Sequence, residues 1–384
     1  MQLLFESLFN GVAIGSVLLM AALGLAIVFG LMGVINLAHG ELIMLGAYTT
    51  YVVQLIFKLP AFEPVYNLYV LVAIPLAFVV SGVVGILLER TVIRRLYGNP
   101  LETLLATWGV SLILQQFVRS VPLATAAGVV LALVVGFSLP LVLPAPLLEG
   151  PRARLVRAGC WATSALAGVL LAGGLASQIS RIARATSRNV DVTAPQWMRG
   201  GLEWADLTLP VPRLVIIVMT VVSVLGVTLF LNRSVWGTRI RAVTQNRSMS
   251  DCLGIPTDTV DVLTFGIGSG LAGIAGVAVS LLGSVGPNVG GSYIVGCFMV
   301  VVLGGVGNLF GAVLASFAIG WLTDLIGAGR LLTLWPAMPS PLAATVKFFA
   351  TTSMAQVMVF ALIVLFLQFR PAGLFPQKGR MVEA

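Results

Sequence analysis

Residues 8–30 read LFNGVAIGSVLLMAALGLAIVFG, a run without a single charged side chain. Wound as an α-helix it measures about 35 Å, enough to cross a hydrocarbon layer of roughly 30 Å. Inside lipid every backbone N–H and C=O must be paired within the protein, which favours a helix, and the two-residue alternation of a barrel strand is missing. Runs of the same kind recur at 41–57, 68–88, 101–118, 121–147, 159–176, 213–231, 259–283, 293–307, 309–327 and 347–368. Of the 384 residues 58% are hydrophobic and 9% charged, against roughly a quarter charged in soluble domains. The mean hydropathy of +1.04 points the same way. The expected fold is therefore all-α: a polytopic transmembrane helical bundle of about 9–11 spans, forming one domain over 1–384. The 42 glycines and 19 prolines suit packed membrane helices.

Charge sets the expected topology. The first basic residue is Lys58, so no cationic region precedes the first apolar run, which reads as a first span with its N-terminus outside and not as a cleaved signal. The inside segments then hold Arg90, Arg94 and Arg95; Arg152, Arg154 and Arg157; Arg233, Arg239, Arg241 and Arg247; and Arg370, Lys378 and Arg380. That is thirteen of the 22 basic residues, as the positive-inside rule requires. The stretch 177–213 falls outside in this scheme although it holds Arg181, Arg184, Arg188, Arg199 and Arg213. A net charge of +8 would suit a nucleic-acid binder, but the basic residues lie in short clusters between apolar runs, so the expected partner surface is membrane lipid and not nucleic acid.

Several chemistries are excluded. Cys160, Cys252 and Cys297 have no ligand-like or disulfide spacing. Lys58, Lys347 and Lys378 follow Phe57, Val346 and Gln377, so no glycine–lysine pair of a phosphate-binding loop is present. His39 is the only histidine, which rules out paired-histidine metal sites, and no serine sits in a nucleophile elbow. An enzyme is not expected, nor a cofactor or metal in this chain.

Glycines mark close contacts. Gly266, Gly270 and Gly273, and again Gly307 and Gly311, are spaced to share a helix face. The run Gly304, Gly305, Val306, Gly307, Asn308 fits either a tight turn or a broken helix.

The polar stretch 232–258, NRSVWGTRIRAVTQNRSMSDCLGIPTD, lies between two long apolar runs and is expected in the cytoplasm. From Arg239 to Leu253 it reads as a short amphipathic helix stopped by Gly254 and Pro256. A helix ending in Leu-Gly-Ile-Pro resembles the coupling segment of bacterial ABC importer permeases, which contacts the ATPase. The resemblance implies that Arg239, Arg241, Gln245, Asn246, Leu253, Gly254 and Ile255 do so here. Ser248 to Cys252 depart from the two alanines that the family often carries before the glycine.

In GLAIVFGLMGVINLAHGELIMLGAYTTY, residues 24–51, Asn36, His39 and Glu41 interrupt an apolar run, and ionisable groups at that depth usually face a protein interior or a water-filled path. This stretch resembles the branched-chain amino-acid and urea permeases of the ABC class. So do LETLLATWGVSLILQQ at 101–116, TQNRSMSDCLGIPT at 244–257 and GSVGPNVGGSYIVGCFMVVVLGGVGNLFG at 283–311, and together they look most like the urea-type subunit. Two departures stand out. Residues 121–187 look like a two-span insertion, and Gly296 with Cys297 occupy positions where relatives commonly have an acid and a small hydroxyl residue.

The resemblance implies an inner-membrane, multi-pass permease of a bacterial ABC importer. It would work with a homologous second permease subunit, two cytoplasmic ATPases that bind ATP and magnesium, and an extracytoplasmic solute-binding protein. Urea is the expected solute, with a branched-chain amino acid as the alternative and a passive channel as the more distant one. A small neutral solute must exchange its water for fixed donors and acceptors. The candidates are Asn36, His39, Tyr48, Thr107, Gln115, Gln116, Asn288 and Tyr293, with Gly33–Gly40 and Gly286–Gly291 as candidate helix breaks. A zwitterion would instead want opposite charges or helix ends beside its path.

Overall fold

The computed structural model describes residues 2–58, 63–120, 189–204, 207–330 and 350–375, with scattered positions at 159–169 and Phe348. The expected insertion at 121–187 thus lies almost wholly outside the described residues. The described residues form a helical bundle. Its long elements are α1 (Gln2–Ile27), α2 (His39–Phe57), α3 (Tyr69–Thr91), α4 (Pro100–Ser120) and α5 (Val211–Arg233). Two short helices follow, α6 (Val235–Gln245) and α7 (Arg247–Cys252), then α8 (Thr257–Leu282), α9 (Val289–Gly304), α10 (Leu309–Gly327) and α11 (Thr352–Phe369). Seven helical segments are long and apolar enough to cross a membrane, and α9 and α11 are shorter apolar helices. These nine agree with the apolar runs to within a few residues. The only sheet among the described residues is an antiparallel hairpin, β1 (Gly201–Trp204) with β2 (Leu207–Pro210), Leu202 opposite Leu209.

Glycine decides how the bundle packs. α8 lies at its centre, against α1, α2 and α3. A methyl group on Gly268 would meet Val28 Cγ2 at 2.6 Å and the Gly24 carbonyl oxygen at 2.8 Å; on Gly276 it would meet the Ala47 nitrogen at 2.5 Å. The expected face of Gly266, Gly270 and Gly273 is confirmed: they receive Ile86, Phe78 and Ala77 with Ser81, all from α3. With no Cβ to hold them apart, four helices approach backbone to backbone, which gives dispersion contact where lipid removes the hydrophobic drive between helices.

Gly307 and Gly311 do not share a helix face. Gly305 and Gly307 take positive φ values of 99° and 87°, open only to glycine without strain, and Asn308 caps α10 by accepting from Gly311 N at 3.1 Å. The run 304–308 is therefore a tight turn between α9 and α10, with Gly311 against Gly304 across it.

Two helices begin at membrane depth. α1 widens into a π-helical turn, Val28–Met32, and stops at Gly33, φ 70°. Residues 33–38 run unwound, and α2 starts with His39 packed between Gly24 of α1 and Gly268, near the middle of α8. Gly268 lies about 16 Å along α8 from Thr257 at 1.5 Å per residue. The second break is 283–288. Its Val285 pairs with Val190 through N–H···O bonds of 2.8 and 2.7 Å, and α9 then starts where Gly290 touches Gly40. The N-termini of α2 and α9 consequently meet inside the bundle.

Candidate substrate pathway and coupling corner

α4 carries a polar residue every fourth position: Thr103, Thr107, Ser111, Gln115 and Arg119. Four-residue spacing places them on one helix face, turned toward the unwound segment and α2. Thr107 Oγ1 accepts from Leu37 N at 3.2 Å. Ser111 and Gln115 donate to Glu41 Oε1 at 3.1 and 2.7 Å, and Arg119 donates to Asn288 Oδ1 in the cap of α9. The opposite face of α4 is apolar and exposed, Leu101, Leu105 and Ile113 included.

The groups facing this stripe are buried and only half satisfied. Glu41 and Asn36 are each 1% exposed. Among the described residues, Glu41 Oε2, Asn36 Nδ2, His39 Nδ1 and the Tyr48 hydroxyl have no hydrogen-bond partner. Their other atoms are engaged: Asn36 Oδ1 accepts from Ala38 N at 3.0 Å, and His39 Nε2 lies 2.9 Å from the Ala21 carbonyl. A buried polar atom left unpaired costs about 1–3 kcal/mol, so each of the four is a point that a water or a bound molecule can satisfy. The helix N-termini of α2 and α9 add partial positive charge. Glu41 answers that of α2, whereas α9 has no acid in its first turn.

Of the expected pathway residues, Asn36, His39, Tyr48, Thr107, Gln115 and Asn288 border these two helix breaks. Gln116 points off the stripe and is exposed, and Tyr293 packs against the main hydrophobic cluster. Sequence reasoning missed Glu41, Ser111 and Arg119 as pathway candidates, although the four-residue polar period of α4 was there to be read. Gly296 and Cys297 sit in the core: a methyl on Gly296 would meet Leu18 Cδ2 at 2.9 Å, and Cys297 is fully buried.

At the other end of the bundle, the expected single helix from Arg239 to Leu253 is two helices. Asn246 leaves helical geometry at φ −155°, and its side chain accepts from Met249 N at 2.9 Å, so it caps a new helix instead of continuing the old one. α7 ends as expected at Gly254, φ 79°. Ile255 N bonds to Ser250 O and Gly254 N to Asp251 O, the paired bonds of a glycine-terminated helix. Arg239 stacks on the Trp236 ring at 4.9 Å, and Arg241 donates to Asn232 at 3.1 Å. Gln245, Asn246, Leu253 and Gly254 are exposed, Leu253 at 74%, and Ile255 is partly covered. Ile240 is buried under α6.

An ion-pair network that sequence reasoning missed ties this corner to the bundle. Arg247 reaches Asp261 at 2.6 Å and Asp258 at 3.9 Å, and lies over the Tyr97 ring at 5.0 Å. Arg94, after α3, also pairs with Asp258, and the Tyr97 hydroxyl donates to Glu89 at 3.4 Å. Burial, with Asp261 and Glu89 nearby, raises the Tyr97 hydroxyl above its ordinary range, so it remains a protonated donor. These pairs link the ends of α3, α7 and α8.

Comparison with known proteins follows the same lines. The family described as "Branched-chain amino acid transport system / permease component" matches residues 7–120 and 104–367. The high-affinity branched-chain amino acid transport system permease protein LivH of Salmonella typhimurium is 25% identical over 378 residues, covering 96% of this chain and 94% of that protein. LivH of Escherichia coli is 25% identical over 376 residues, and BraD of Pseudomonas aeruginosa 26% over 371, with the same coverage. No solved structure gives a significant match.

Proposed function

We infer the function from one fixed point: the chain belongs to the family of branched-chain amino acid transport permease components, so it is an inner-membrane permease subunit of an ABC importer and not an enzyme. Such permeases work with ATPase and solute-binding partners. The solute we assign is a branched-chain amino acid. The urea preference expected from sequence finds no support among the relatives, whose names all specify branched-chain amino acid transport.

One observation carries the assignment: opposite charges flank the helix breaks. Glu41 offers a buried, unpartnered Oε2, while Arg119 and Asn288 sit at the N-terminus of α9. A zwitterion needs both. Its ammonium group bonds to Glu41, held by Ser111 and Gln115, and its carboxylate takes the N-terminus of α9 beside Arg119. Urea, being neutral, would gain hydrogen bonds there but no charge pairing.

The coupling reading rests on the segment 232–258. Its exposed Leu253 and the rigid Gly254 stop present a contact surface to an ATPase, and the Arg247 network passes displacement to α3 and α8. The assembly we assign has two ATPases, a homologous second permease subunit and one extracytoplasmic binding protein. ATP-driven uptake of labelled leucine into proteoliposomes carrying that assembly, unaffected by excess urea, is the expected result. Uptake of urea without leucine would overturn the solute. Labelling intact cells with a membrane-impermeant thiol reagent tests orientation through Cys252, which is exposed, in a chain with Cys160 replaced by serine. Cys252 should react only after the membrane is opened.

A further inference from the structure

A cavity of about 430 Å³ lies between α3, α5 and α8, backed by Ile27 of α1 and bordered at one end by Ile240 of α6. It stands apart from the pathway, and its lining is almost wholly apolar. The two hydroxyls in its wall are engaged elsewhere: Thr264 donates to the Val260 carbonyl at 2.7 Å, and Ser223 contacts the Met20 sulfur at 4.0 Å. An occupant must therefore be one that asks for no hydrogen bond. The wall also has open space, since a methyl group built on Gly226 would meet nothing within 4 Å. Beside it the outer face of α5 is bare and apolar, with Val218, Val222 and Leu225 all more than half exposed, so a hydrocarbon chain can enter sideways from the bilayer.

The end marked by Ile240 is strongly basic. Arg233, Arg239 and Arg241 lie within nine residues, and 232–245 contains no acid. Basic clusters at the cytoplasmic edge of a helix bundle attract anionic headgroups. We infer that the cavity holds one acyl chain of an anionic phospholipid whose phosphate rests on Arg233, Arg239 and Arg241.

The test is lipid retention by the full chain purified with its partner subunits, washed free of bulk lipid and offered phosphatidylglycerol or phosphatidylcholine, with native mass spectrometry as the readout. Wild type should retain one phosphatidylglycerol per copy in preference to phosphatidylcholine. Gly226→Phe, which points into open space, should lower retention about tenfold, equivalent to roughly 1.4 kcal/mol. Val222→Phe, filling the same space from the next turn, is the second variant should Gly226→Phe fail to assemble. The double change Arg239→Gln with Arg241→Gln should erase the headgroup preference. Equal retention of both lipids by wild type, undiminished retention in both filling variants, or a Val222→Cys cross-link to the second permease subunit would each overturn the inference. None of these readouts requires transport, so the solute assignment can fail independently.

Discussion

The helix breaks and the coupling corner are both polar regions of an apolar protein, yet they treat polarity in opposite ways. At the breaks Glu41, Asn36, His39 and Tyr48 each keep an atom without a partner in full burial. At the corner Arg94, Arg247, Asp258 and Asp261 are joined in ion pairs at the end of the bundle, most of them in reach of water. Burial makes an unmade hydrogen bond costly, so the first arrangement suits the solute site proposed above. The second spends its charges on one another, Glu89 Oε2 alone staying unpaired beside Tyr97, and its ion pairs link the ends of three helices.

The largest effect should come from removing what both regions share, the glycine seams. Gly273→Leu pushes a branched side chain into α3 backbone at Ala77, an overpacking cost of about 1–3 kcal/mol or more, and should leave no assembled permease by size-exclusion chromatography. Glu41→Gln tests the waiting site alone. It removes a charge-assisted bond worth about 1.5–3 kcal/mol, so leucine uptake should fall about tenfold or more while ATPase subunits still copurify. Undiminished uptake would mean that the orphaned carboxylate oxygen serves packing only.

Arg247→Ala tests the corner. Its pair with the 5%-exposed Asp261 is lost, and uptake should fall several-fold with leucine binding to the assembly unchanged; Arg247→Lys should recover part of it. A change in binding and not in coupling would erase the distinction between the two regions. Gly254→Val forces a β-branched residue into positive φ at about 1–2 kcal/mol. Solute-stimulated ATPase activity should drop modestly, and an unaltered rate would remove the α7 stop from the coupling path. Gln116→Ala should change uptake least, within about twofold of wild type, since it lies one residue off the stripe that Gln115 belongs to.

The helices were readable from hydropathy because lipid imposes one rule on every span, and the residues at Gly33–Gly40 and Gly286–Gly291 announced their breaks through glycine, proline and buried polar side chains. Expecting a continuous helix through Asn246 failed for a local reason: the same side chain that continues a helix poorly is among the best at starting one. Tyr293 and Gln116 were chosen by residue type alone, and type does not say which way a helix turns its face. Glu41 falls outside a set of residues suited to an uncharged solute, and it is the contacts with Ser111 and Gln115 that bring it forward.

Sequence by itself determined that this chain is built for a membrane and where nine of its apolar helices run, because composition and run length are properties of the chain read in order. Only the tertiary structure decided that α2 and α9 meet by their N-termini at Gly40 and Gly290, that α4 turns its polar stripe toward Glu41, and that Arg247 locks α7 to α8. Those juxtapositions join residues up to 250 positions apart, and the longest of them rests on the close approach that glycine permits between α2 and α9.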